Sequence, residues 1–76
     1  MKLQLVFETK SKIYLQKPAF LGFVNSEKKL NILNEFIKEE LSWRKRGFYI
    51  LTTSNKKKFI PIKEIRQCVK FYYRVV

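Results

Sequence analysis

Three groups of residues have types and spacings that could do chemistry: Arg44-Lys45-Arg46, Lys56-Lys57-Lys58, and a tail set of Lys63, Arg66, Lys70, Tyr72 and Arg74. Clustered cations neutralise phosphates and release their counterions. An aromatic ring among them offers a face on which a base can stack. If the tail is a strand, Arg66, Lys70, Tyr72 and Arg74 share one face, because side chains alternate across a strand. The lysine triplet falls at the tip of an expected hairpin, where it could reach a nucleic-acid backbone.

Catalysis is poorly provided for. Cys68 is the one cysteine and there is no histidine, so the thiol lacks the usual base. Buried or half-buried packing is the plainer role for it. Common zinc sites need His or several Cys. Metal-dependent hydrolysis wants clustered carboxylates, yet there is no Asp, and four of the six Glu fall in one helix. The expectation is a non-enzyme with no metal and no cofactor.

Charge gives the strongest signal. Seventeen Lys and Arg against six acidic residues give +11. Residues 1–43 hold seven basic residues and five Glu, whereas residues 44–76 hold ten and one. Biased codon usage would raise Glu along with Lys, and solubility does not require such asymmetry. Attraction to a polyanion does. No helix-turn-helix, RNP signature or Gly-rich loop is present, so base reading is not implied. One cysteine and no apolar run after Met1-Lys2 predict an intracellular protein without a leader. The longest apolar run, Ala19 to Val24, cannot span a membrane.

The elements that must position these residues read as follows. Seventy-six residues make one domain, 1–76, with little core to spare. Lys2–Glu8 alternates as a half-buried strand, and Lys12–Gln16 returns after a turn at Thr9–Ser11. Phe20–Val24 reads as a central strand covered on both faces. A helix is predicted from Ser26 to Gly47, with Ser26 or Asn25 as N-cap and Arg44–Arg46 in its last turn. Gly47 would end it in a left-handed conformation. Leu30, Ile32, Leu33, Phe36, Ile37, Leu41 and Trp43 fall on one broad arc, expected to carry the core, with Asn34 opposite. Glu40 lies within that arc, spaced to pair with Arg44.

Phe48–Thr53 and Lys57–Ile60 should form a second hairpin, turning at Ser54–Lys56 and ended by Pro61. The tail from Lys63 to Val76 fits a strand or a helix. Its β-branched and aromatic content favours a short turn at Lys63–Ile65 and then a strand. The fold class is α+β: one amphipathic helix on a small, mainly antiparallel sheet, in the order β-β-β-α-β-β-β.

Two functional readings follow. The first is a small basic protein contacting the phosphate backbone of DNA or RNA with little sequence specificity. The second is an interaction or regulatory protein, an inhibitor or adaptor, docking on an acidic protein partner through Trp43 and Glu40. The wide apolar arc also suggests a homodimer. Tyr72 among exposed cations would favour the first reading, and Trp43 exposed in an apolar patch the second.

Overall fold

The computed structural model describes residues 1–43 and 46–76. Its elements are β1 (Lys2–Thr9), β2 (Ile13–Leu15), β3 (Ala19–Phe20), α1 (Glu27–Ser42), β4 (Gly47–Leu51), β5 (Lys57–Pro61), α2 (Ile62–Ile65) and β6 (Cys68–Val75). The α+β class and the expected element order hold. The tail is one helical turn followed by a strand.

β1 is the central strand. β6 pairs antiparallel along one side of it, from Leu3 opposite Val75 to Thr9 opposite Cys68. β2 pairs with Val6–Glu8, and β3 with Lys2 and Leu3, on the other side. This corrects two expectations. β1 is buried on both faces, with Gln4 and Val6 as well as Leu3, Leu5 and Phe7. The Phe20–Val24 run is not a central strand: β3 is two exposed residues, and Phe20 is open to solvent. Pairing on both sides hides β1's second face, where Val6 lies between Leu15 and Tyr72.

The core is aromatic. Phe7 meets Tyr14, Phe48 and Phe71 with ring centroids 5.9, 5.7 and 5.9 Å apart. Ile50, Ile60 and Ile65 close the cluster from β4, β5 and α2. The β4–β5 hairpin therefore covers the face of the main sheet that carries Phe7 and Phe71. It is tied to the segment after β2, where Lys17 N–H donates to the Leu51 carbonyl at 2.7 Å. Asn55 turns the hairpin at φ 63°, a conformation that Asn tolerates.

α1 does not carry the core, contrary to expectation: none of its residues is buried. Leu30, Leu33, Ile37 and Leu41 are half-buried, while Ile32 and Phe36 stay exposed. Ser26 is the N-cap, accepting from Lys29 N–H at 3.2 Å, so Asn25 is not. The helix stops at Ser42, well before Gly47. The Ser42 hydroxyl donates to the Glu39 carbonyl at 2.6 Å, and Trp43 caps the end. Such side-chain bonding competes with the helical ladder. Its last turn holds no basic residue. Arg46 lies beyond it, and Arg44 and Lys45 fall outside the described residues. Gly47 does take a positive φ, +140°, but it opens β4.

Asn34 is not on the solvent side. Its amide donates to the Tyr73 carbonyl at 3.2 Å and accepts from the Tyr73 N–H at 2.7 Å. One side chain thus occupies the strand's outer edge as a neighbouring backbone would. No helix among the described residues is long and apolar enough to cross a membrane.

Candidate functional site

The β4–β5 register decides what the hairpin shows to solvent. Phe48 pairs with Ile60 and Ile50 with Lys58, while Tyr49 pairs with Phe59 and Leu51 with Lys57. Phe48, Ile50 and Ile60 face the core, so Tyr49, Leu51, Lys57 and Phe59 face outward. Tyr49, Leu51 and Phe59 are exposed. The Tyr49 and Phe59 rings lie 4.9 Å apart, and Lys57 Nζ stands 4.6 Å from the Tyr49 ring centroid. Two rings and a cation make a stacking platform. Tyr49 and Phe59 were missed in the sequence, although their alternation with Phe48 and Ile60 was visible.

The lysine triplet divides. Lys56 and Lys57 are exposed at the turn and on the outer face. Lys58 is exposed too, but on the other face of the hairpin, its Nζ 5.6 Å from the Tyr14 ring centroid. Lys17, from the segment after β2, joins the turn by donating to Asn55 Oδ1 at 2.6 Å.

The tail cations lie elsewhere. Lys70, Tyr72 and Arg74 pair with Glu8, Val6 and Gln4. They occupy the sheet face opposite the hairpin. Lys70 and Arg74 are exposed, with half-buried Tyr72 between them. Arg74 donates twice to Gln4 Oε1, from Nε at 3.0 Å and Nη2 at 2.7 Å. Arg66 does not share this face, because it is the C-cap of α2. Lys63 and Arg46 are exposed at separate positions. The expected single surface is therefore two surfaces. Trp43 and Glu40 are both exposed at the end of α1.

Glu64, the one acid of the second half, is already engaged. Tyr14 hydroxyl donates to its Oε2 at 2.7 Å and Lys12 Nζ to its Oε1 at 3.4 Å. The Tyr14 bond, helped by Lys12 and the charge of Lys58, holds its carboxyl below the ordinary range. A lowered folded value means stability that is present above the unfolded value and lost as pH falls through the folded one. Wild-type melting temperature should fall as pH drops below the ordinary glutamate value of about 4.3. Glu64→Gln should flatten that fall, as thermal melts across pH would read. Parallel curves for both proteins would mean that the pair contributes nothing.

Burial raises the Cys68 thiol, which keeps it protonated near neutral pH and poor as a nucleophile. Burial also raises the Tyr73 phenol. Among the described residues no three of His, Cys, Asp and Glu are grouped to hold a metal ion. The chain matches no family model, no curated protein and no solved structure.

Proposed function

We propose that the protein binds nucleic acid through the outer face of the β4–β5 hairpin, with little sequence preference and without catalysis. One observation carries this reading: the exposed Tyr49–Phe59 pair with Lys57 over the Tyr49 ring. Lys56 and Lys17 flank it at the turn. Rings of this kind accept any base, and the lysines meet phosphates without reading sequence. DNA and RNA serve equally in this reading. Cys68 as a lone thiol suits a reducing, intracellular compartment. The surplus positive charge would draw a polyanion to the hairpin and speed the encounter.

Gel shifts with single- and double-stranded DNA and RNA across a salt series test it. Three or four phosphate contacts on a duplex predict a log–log salt slope of roughly −3 to −4. The triple change of Lys56, Lys57 and Lys58 to Ala should flatten that slope, whereas Lys2, Lys10 and Lys38 to Ala should matter much less. Tyr49→Ala should weaken single-strand binding by about 1–3 kcal/mol. Equal loss from both triple variants would mean a diffuse positive cloud and no site.

The second reading, a regulator docking on an acidic protein partner, is favoured by the 77% exposure of Trp43. It takes over if no nucleic acid shifts even at low salt.

A further inference from the structure

Four large side chains stand uncovered on α1 and around its ends. Phe23, Ile32, Phe36 and Trp43 are 66%, 61%, 58% and 77% exposed. At about 100° per residue, Lys29, Ile32, Phe36, Glu39, Glu40 and Trp43 fall within an arc of roughly 100°. That arc borders the Leu33, Ile37 and Leu41 side, which is half-buried. Phe23, Val24, Ile32, Leu33 and Phe36 line an apolar groove of about 290 Å³ on it. Exposed, contiguous apolar surface of this kind marks a contact site.

We propose that this stripe is the interface of a homodimer in which two copies of α1 lie antiparallel across a two-fold axis. The order of charges along the stripe selects a second copy as the occupant. Ile32 and Phe36 are centred on residue 34. A two-fold axis at that level sets Ile32 of each copy against Phe36 of the other. It also brings Lys29 to Glu40 on one flank of the stripe and Lys28 to Glu39 on the other, and symmetry repeats each pair. Trp43 then meets the loop of Phe23 and Asn25 in the other copy. A parallel arrangement would set Lys on Lys and Glu on Glu.

The rest of the protein resists self-association, since its surplus charge is positive. α1 is the exception, with four Glu and three Lys. Three aromatic residues and one isoleucine at these exposures offer on the order of 500 Å² per copy. The flanking charged side chains bring the contact toward the roughly 800 Å² per partner of a stable interface.

Light scattering and sedimentation on nucleic-acid-free protein, from micromolar to near-millimolar, should give twice the 9.3 kDa chain mass. Lys29→Glu alone and Glu40→Lys alone should each weaken the dimer by about tenfold, because each sets like charges opposite one another. The double reversal Lys29→Glu with Glu40→Lys should restore most of that loss. Lys29→Glu also completes a capping box with Ser26, so a dimer it weakens has not lost its helix. Ile32→Lys should abolish the dimer while the circular dichroism and melt of the monomer stay native. A chain mass of 9.3 kDa at every concentration would overturn the proposal. So would a dimer indifferent to Ile32→Lys, or a double reversal no better than the single changes. None of these outcomes depends on whether the hairpin binds nucleic acid.

Discussion

Phe7→Ala is expected to cost about 3–5 kcal/mol, the usual range for deleting a buried ring. Phe7 is 1% exposed and touches an aromatic ring from each of β2, β4 and β6. Its removal leaves a cavity where the two sheets meet. None of the three rings can fill it without leaving the others, because Phe48 and Phe71 also pack on each other at 5.6 Å. A chain of this size holds about 4–11 kcal/mol in all. The variant should therefore sit at the edge of unfolding. Urea melts followed by circular dichroism would measure this. A midpoint near that of wild type would place the core elsewhere.

Gly47→Ala should be about as severe, at roughly 3–5 kcal/mol, for an unrelated reason. A Cβ there would lie 2.2 Å from the Ile60 carbonyl oxygen, 2.7 Å from Phe59 Cζ and 3.0 Å from Pro61 Cα. The φ of +140° is itself strained for any residue with a Cβ. Ile60 and Pro61 are the paired backbone of β5, so the hairpin must open to admit the methyl. Gly22 is the control: nothing lies within 4 Å of an added Cβ there. Gly22→Ala should melt within about 0.5 kcal/mol of wild type. If the two variants melted alike, close packing at Gly47 would be ruled out.

The order of elements was legible because alternation and helical spacing are local properties. Leu3, Leu5 and Phe7 do share a face, and Lys57 does start a return strand. Periodicity names the residues on one face; it does not say which faces receive a second layer. That depends on contacts across the chain, such as Phe7 with Phe48 or Gln4 with Arg74. It is why β1 looked half-buried and Phe20–Val24 looked central. The apolar arc of α1 was read as one surface for the same reason. It divides into a side that meets the sheet and a stripe that does not. The end of the helix was misjudged because charge and glycine signals at 44–47 outweighed a local bond, Ser42 to Glu39, that no pattern announces. The candidate site was half visible: the lysine triplet stood out, while Tyr49 and Phe59 read as ordinary strand formers.

Asn34 shows how little separates this sheet from an open one. A single primary amide pairs with the outer edge of β6 at Tyr73, giving one hydrogen and taking another as a neighbouring strand's backbone would. The pairing therefore has the chemical lifetime of that amide. Hydrolysis to aspartate would still accept from the Tyr73 N–H, but it would turn a carboxylate oxygen toward the Tyr73 carbonyl in place of the lost donor. Ageing of one side chain, with no change in the gene, would then leave the outer edge of β6 unpaired at Tyr73.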